Sequence, residues 1–369
     1  MKEMRKKLGD YITQRREKNT SDDLPICGVC REGLIPPKQQ DADISLYNVF
    51  YKNDFIFNPA RMELNSITLN TQHDKAICSS LYEIFYINDT SILLPEFLFV
   101  QLKTDNFIRF CEFQGQGSVR EYCRFANISE YPVIVPNIKE QQKIVNTYNA
   151  ITNRIRIKQK INENLEKTAQ AIYRKMFIEE ANEKWEKRKL GTLVEIKRGG
   201  SPRPIQDYIQ PSGYRWLKIS DATASKNPFI FKTEEYISED GLSKTVLLKA
   251  GSLILSNSAT PGLPKILRVD SCIHDGWLYF PKSRFSNEYL YLLFQNIRED
   301  LKSRGNGSIF TNLKTDILKE YFVYVPDDSS LSSFQDKIEK LFYQILKNSE
   351  ELNELEKLKQ LVVSQISKR

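Results

Sequence analysis

The sequence predicts an α+β fold in which two globular segments of mixed helix and strand are separated by two long helices. The helices pair as an antiparallel coiled coil, and the whole forms a pseudo-twofold internal repeat. Three observations carry this. Between Ile144 and Met176 a four-then-three spacing lands on Ile144, Tyr148, Ile151, Ile155, Lys158, Asn162, Leu165, Ala169, Ile172 and Met176, and eight of these ten are apolar. The same rule holds 190 residues later, on Phe334, Ile338, Leu341, Ile345, Asn348, Leu352, Leu355, Lys359, Val362 and Ile366. The shift also outlasts the stripe. Glu166-Lys167 and Gln170 recur as Glu356-Lys357 and Gln360, Val133, Val135 and Pro136 as Val323, Val325 and Pro326, and Gly115, Gly117 and Ser118 as Gly305, Gly307 and Ser308.

Connectivity sets the direction of the pair. The first helix ends near Asn182, and Trp185–Gly191 opens the second segment a few residues later. The second helix starts where that segment finishes, so it must run back along the first. At about 1.5 Å per residue, forty-odd residues span on the order of 60 Å. Lys158, Asn162 and Asn348 interrupt the stripes near their middles, where an antiparallel pair brings them together and disfavours slipped registers.

In chain order, Lys7-Leu8-Gly9-Asp10-Tyr11-Ile12 opens the first segment as Lys189-Leu190-Gly191-Thr192-Leu193-Val194 opens the second. Runs of β-branched and aromatic residues within Leu46–Phe57 and Ile84–Ile87 predict strands, and Pro95–Val100 a helix start echoed by Asn287–Leu292. A Gly-rich loop, Gly115–Ser118, precedes a strand ending at Pro136. In the second segment Arg198–Pro204 reads as a loop, and Tyr214–Ile219 and Gly251–Ser256 as strands.

Composition excludes several classes. Forty per cent hydrophobic and 27% charged residues describe a globular chain, with no apolar run of membrane-spanning length and no signal-peptide core, so a cytoplasmic location is expected. Of the formal net charge of +7, residues 139–189 carry +6. The excess therefore lies on the middle helix, and net charge permits nucleic-acid binding without demonstrating it. Six cysteines are too sparse for a disulfide scaffold, and Cys27-Gly28-Val29-Cys30 lacks the second pair that a tetrahedral metal site needs.

With the repeat and helices in place, the chain resembles the specificity subunit of type I restriction-modification systems over essentially its whole length. The match is carried by Phe57-Asn58-Pro59-Ala60-Arg61 with Ser66-Ile67, by Trp216-Leu217-Lys218-Ile219-Ser220-Asp221, by Gly251–Ser256 and by Leu165–Ile172. The resemblance implies a target-recognition domain over residues 1–138, a spacer helix over 139–183, a second recognition domain over 184–330 and a second helix over 331–369. Ile144, Ile151, Ile155, Leu165 and Ile172 would pair with Ile338, Leu341, Ile345, Leu352, Leu355 and Val362. It implies double-stranded DNA, modification (methyltransferase) subunits and a restriction-translocation subunit as partners. S-adenosylmethionine, ATP and magnesium would then be expected on those partners, with no cofactor or metal in this chain.

An enzymatic reading finds no site. Phe113-Gln114-Gly115-Gln116-Gly117 mimics an S-adenosylmethionine loop, but its repeat partner Ser303-Arg304-Gly305-Asn306-Gly307 lacks the aromatic residue. Asn58-Pro59-Ala60-Arg61 lacks the second Pro and the aromatic residue of an amino-methyltransferase motif, and only His73 and His274 could serve His-based catalysis. A binding reading needs positive and amide groups. Arg15, Arg16, Lys18, Arg31, Lys38, Gln39, Gln40, Asn58 and Arg61 supply them in the first segment, and Arg198, Ser201, Arg203, Lys218, Ser220, Asn257 and Arg268 in the second. Two unlike domains on one rod imply an asymmetric, bipartite DNA target. The rivals are a coiled-coil scaffold for partners other than nucleic acid, and the recognition part of a single-polypeptide restriction enzyme.

Overall fold

The computed structural model describes residues 6–31, 33–37, 43–115, 122–304 and 313–368. Two compact units emerge, one of Met1–Arg156 with Glu354–Arg369 and one of Ile157–Asn353.

The strands of the first unit are β1 (Lys6–Lys7), β2 (Ile12–Arg15), β3 (Ile26–Cys30), β4 (Gly33–Ile35), β5 (Asn48–Tyr51), β6 (Phe55–Phe57), β7 (Ile67–Leu69), β8 (Lys75–Cys78), β9 (Glu83–Ile87) and β10 (Pro132–Val133). Its helices are α1 (Pro95–Gln101), α2 (Asp105–Gly115), α3 (Phe125–Ser129) and the start of α4 (Ile138–Arg174). One sheet has the order β2-β9-β6-β7 and the other β4-β3-β8-β5, in which only β3 and β8 run parallel. Alternation along the first sheet buries both of its faces. Phe55, Phe57 and Phe85 pack with Phe97, Leu98 and Phe107 of α1 and α2, while Ile56 and Ile84 pack with Phe50, Ala76 and Cys78 of the second sheet. Each Phe, Leu or Ile among them contributes roughly 1.5–3 kcal/mol by leaving water. The runs expected within Leu46–Phe57 form β5 and β6, separated by a turn in which Asn53 is left-handed at φ 67°. β10 is shorter than the expected strand ending at Pro136, and pairs with β1 to bring the ends of the globular part together. Gly115 ends α2, and Gln116–Ser118 lie outside the described residues.

The second unit holds β11 (Glu186–Lys189), β12 (Val194–Arg198), β13 (Ile209–Gln210), β14 (Tyr214–Leu217), β15 (Phe229–Ile230), β16 (Glu235–Ile237), β17 (Val246–Leu248), β18 (Leu253–Ser256), β19 (Pro264–Leu267), β20 (Ser271–Ile273), β21 (Trp277–Ser283) and β22 (Phe322–Val325). The remaining helices are α5 (Ile219–Ala224), α6 (Asn287–Arg304), α7 (Thr315–Lys319) and α8 (Asp328–Lys368). Its sheets read β12-β21-β18-β19-β15 and β13-β16-β14-β20-β17, with β14 parallel to β20 as β3 is to β8. Leu253 and Leu255 of β18 join the core under α6, and Ile254 between them turns to the second sheet with Ile273 and Trp277. The strand expected over Tyr214–Ile219 stops at Leu217, because Asp221 accepts a hydrogen bond from the Lys218 N–H (2.9 Å) and starts α5 at Ile219. The strand expected from Gly251 begins at Leu253, after a turn in which Gly251 has φ 94°. β11 pairs with β22 as a second clasp.

Within the second unit α4 and α8 pack antiparallel, Lys158 meeting Glu351 (2.9 Å) and Tyr173 meeting Phe334. The polar layer between them is satisfied. Asn348 donates to Asn162 (2.9 Å), Lys158 donates to Asn348 (2.9 Å), and Asn162 donates to Ser349 (3.1 Å). Ile338 and Ile345 are buried, and Leu165, Ile172 and Leu341 are half-buried at the edge of this core. Leu352 of the second unit is half-buried as well, and in the first unit Ile151 and Ile155 are buried and Ile144, Leu355 and Val362 half-buried. Beyond Ala169 the buried face departs from the four-three stripe. It runs through Tyr173 and Phe177 in place of Ile172 and Met176, because Tyr289 on α6 covers that side as well.

Two electrostatically coupled groups, Glu166 of α4 and Lys265 of β19, sit beside α6 in the second unit. Tyr291 of α6 donates to Glu166 (3.3 Å), and Lys265 of β19 donates to the Ser225 carbonyl (2.7 Å) and to that of Asn227. Burial raises the Glu166 carboxyl to about 7 and lowers the Lys265 ammonium to about 8. A carboxyl raised by the fold supports it below the ordinary carboxylate range and stops doing so as pH climbs through 7. Glu166→Gln removes that loss, worth on the order of 2–3 kcal/mol. Removing the neighbouring charge lowers Lys265 further, which acts in the same direction. The variant's melting temperature relative to wild type is expected to rise between pH 5 and pH 7. Tryptophan fluorescence reads this cleanly, since Trp185, Trp216 and Trp277 all lie in the second unit. A flat difference across that window refutes the assignment.

Candidate nucleic-acid interface

In the second unit the turn between β20 and β21 gathers four of the candidate residues around one aspartate. His274 to Gly276 form the turn. The Trp277 N–H donates to the His274 carbonyl (3.1 Å) and the Gly276 N–H to His274 Nδ1 (2.8 Å). The imidazole is thereby an acceptor at Nδ1, and burial lowers its pKa, so it stays neutral. Arg198, the last residue of β12, donates through Nε to the Asp275 carbonyl, and Asn257 donates to the same oxygen (3.1 Å). Ser201 donates to Asp275 Oδ1 (2.8 Å) and Arg203 to Oδ2 (3.1 Å). Partial burial alone would raise the Asp275 carboxyl. The Ser201 hydrogen bond and the charges of Arg198 and Arg203 outweigh that and hold it below the usual carboxylate range.

Close backbone approach holds the turn in place. A Cβ at Gly199 would stand 2.3 Å from the His274 carbonyl oxygen, and one at Gly276 would stand 2.2 Å from the His274 ring. Asn257 is 4% exposed and therefore anchors the turn from below. The Arg198 and Arg203 side chains are 55% and 79% exposed and are the groups that can meet a ligand. The remaining candidates of this unit have other partners or are exposed. Lys218 is paired with Glu235 (2.6 Å), Ser220 is exposed on α5, and the exposed Arg268 lies close to Lys347 of α8.

The first unit treats its basic residues differently. Arg15 makes two bonds to Asp54, 2.6 Å and 3.1 Å, and its guanidinium lies 4.7 Å from the ring centres of both Tyr51 and Tyr86. Asp54 is 2% exposed, so Arg15 neutralises a buried charge and is not a free reader of bases. Arg16 donates to Gln14 (2.9 and 2.7 Å), and Lys18 to Asn48 (2.8 Å) and the Leu46 carbonyl (3.0 Å), both at exposed positions. Asn58 caps the short helix after it by accepting from the Ala60 N–H (3.1 Å), and Arg61 and Arg31 are exposed. Lys38, Gln39 and Gln40 lie outside the described residues. The β8–β9 turn, placed in its unit as the Asp275 turn is in the other, presents Leu81 at 77% exposure.

Sequence reasoning passed over Asp275, Asp54 and the two tyrosine faces. The Asp275-Gly276 dipeptide is a turn signal, but nothing local marks its carboxylate as a hub. Among the described residues no group of three or more His, Cys, Asp and Glu side chains could hold a metal ion, and no helix is long and apolar enough to cross a membrane.

A family model described as the type I restriction modification DNA specificity domain matches the chain twice, over residues 28–167 and 182–362. The chain is similar to the type I restriction enzyme MjaIX specificity subunit of Methanocaldococcus jannaschii, at 20% identity over 74% of this chain and 68% of that one. It is 21% identical to the HindI specificity subunit of Haemophilus influenzae, over 79% of this chain and 81% of that one. In fold it is similar to the crystal structure of the type-I restriction-modification system S subunit from M. genitalium. That match has a TM-score of 0.60 at 13% identity, over 98% of this chain and 95% of the other.

Removing Arg15 would leave Asp54 buried and unpaired. Arg15→Ala is expected to destabilise the first unit by about 2–4 kcal/mol, while Arg16→Ala changes its stability by under about 0.5 kcal/mol. Hydrogen exchange of β2, β6 and β9 compares the two variants. Equal protection in both would show that Arg15 is an ordinary surface arginine.

Proposed function

Since the chain belongs to the family of type I restriction-modification DNA specificity domains, we propose that each of its units reads one half of an asymmetric, bipartite DNA target. The observation that carries this is the double family match, one copy on each globular part. The pairing orders support it, because the same frame carries unlike turns: Leu81 on one, and Asp275 with two arginines on the other. Like frames with unlike reading surfaces suit two unlike half-sites.

In this reading the chain selects sequence and carries out no covalent step. Modification subunits bring S-adenosylmethionine, a restriction-translocation subunit brings ATP hydrolysis with magnesium, and the assembly works in the cytoplasm where the DNA lies. Helices α4 and α8 act as an antiparallel coiled-coil spacer of an internally repeated subunit, the Asn162–Asn348 layer selecting their register. No likeness found favours the scaffold alternative.

Exchanging residues 24–132 for the equivalent part of a relative, then mapping methylated bases in a host carrying the full system, tests the assignment. One half of the target is expected to change and the other to persist. Change in both halves refutes one reader per unit.

The spacer is tested separately. Seven residues inserted into both helices beside Asn162 and Asn348 add about 10 Å while keeping the stripe in phase, equal to roughly three base pairs of duplex. The gap between unchanged half-sites is expected to widen accordingly. An unaltered gap would show that something other than the helices measures the distance.

A further inference from the structure

The Asp275 cluster is more elaborate than phosphate binding requires. A carboxylate beside an arginine cancels charge and repels the DNA backbone, so a residue whose task was to neutralise phosphate would gain nothing from it. The same carboxylate is useful where the plane of the guanidinium must be set in advance, because reading guanine O6 and N7 takes two parallel N–H bonds from one fork. The geometry meets that need. One Nη of Arg203 is held by Asp275 Oδ2 at 3.1 Å, yet the side chain is 79% exposed, so its other donors face outward. Asp275 is itself immobilised. Ser201 both donates to its carboxylate (2.8 Å) and accepts from its N–H (3.2 Å), Asn257 and Arg198 hold its carbonyl, and Gly199 and Gly276 allow no slack beneath the turn. A rigid base below a solvent-facing fork lowers the ordering cost of binding, which is paid before DNA arrives.

We propose that Asp275 is a positioning residue that presents Arg203 to a guanine in the half-site contacted by the second unit. This rests on the reading of that unit as a DNA-recognition domain. Leu81 in the corresponding turn of the first unit is apolar, and the carboxylate after it, Glu83, is held by Arg124 (3.3 Å) and the Phe125 N–H (2.7 Å), so the Asp275–Arg203 pair is particular to the second unit's turn.

The test uses the full chain assembled with its modification subunit. Methylation mapping of host DNA gives the wild-type target, and duplexes altered at each base of that target are then compared for binding by wild type, Asp275→Asn, Arg203→Lys and Arg203→Ala. Asp275→Asn is expected to reduce the preference for guanine at one position of one half-site by about tenfold. Affinity for an unrelated duplex should be unchanged or raised, since a negative charge is lost. Arg203→Ala should lose the same preference at the same position, and Arg203→Lys should fail to restore it. Arg203 is exposed, so its variants fold independently of what Asp275→Asn does to the turn. If Asp275→Asn strengthens binding to every duplex alike, the carboxylate is only a charge brake, and the proposal is overturned. Relaxation in both halves, or a half-site without guanine at the affected position, overturns it as well. A wild-type assembly with no sequence preference would instead overturn the DNA-recognition reading itself.

Discussion

The constraint on which each unit depends is that its central sheet must bury both faces. Phe55 and Phe57 point one way and Ile56 the other, as do Leu253 and Leu255 against Ile254. A three- or four-residue strand with no solvent face has one workable register, because a shift by a single residue would send the large side chains into the wrong layer. The strands are therefore short and closely specified, and the loops between them are where sequence can vary. Asp275 and Leu81 sit in such loops, one residue tied by its own unit's arginines and the other open to water.

That same burial governs what the sequence reveals. The long helices announce themselves, because an apolar stripe recurring every three or four residues over ten positions matches the period of a helix and of no strand or turn. Strands buried on both sides lose the polar–apolar alternation that would mark them, and β6 and β7 are buried at every position. Tyr173 and Phe177 escaped the stripe because a two-helix pattern counts one partner, and a third surface from α6 covers them. The exact ends of the elements depended on caps such as Asp221.

The candidate surface was less legible for a reason that is geometric. Arg203 and Asp275 are 72 residues apart in sequence, and Arg15 and Asp54 are 39 apart. Composition marks both arginines equally as basic residues near a turn or strand end. Only the fold separates them, by placing one against a buried carboxylate between two tyrosine rings and the other on a partly exposed one. Charge in the sequence counts arginines, while their work is decided by the depth of the partner.

Each globular part is closed by a small clasp, β1 with β10 and β11 with β22, that brings its entrance and exit side by side. A segment whose two ends meet can be replaced without redirecting the chain on either side of it. In genetic terms, a recombination event with crossovers inside the clasps transfers an entire globular part and leaves its long helix intact. The clasp strands are short, and their pairing is carried by backbone groups, so foreign partners need match little of their sequence. A globular part can thus be exchanged whole, without passing through a series of half-altered intermediates.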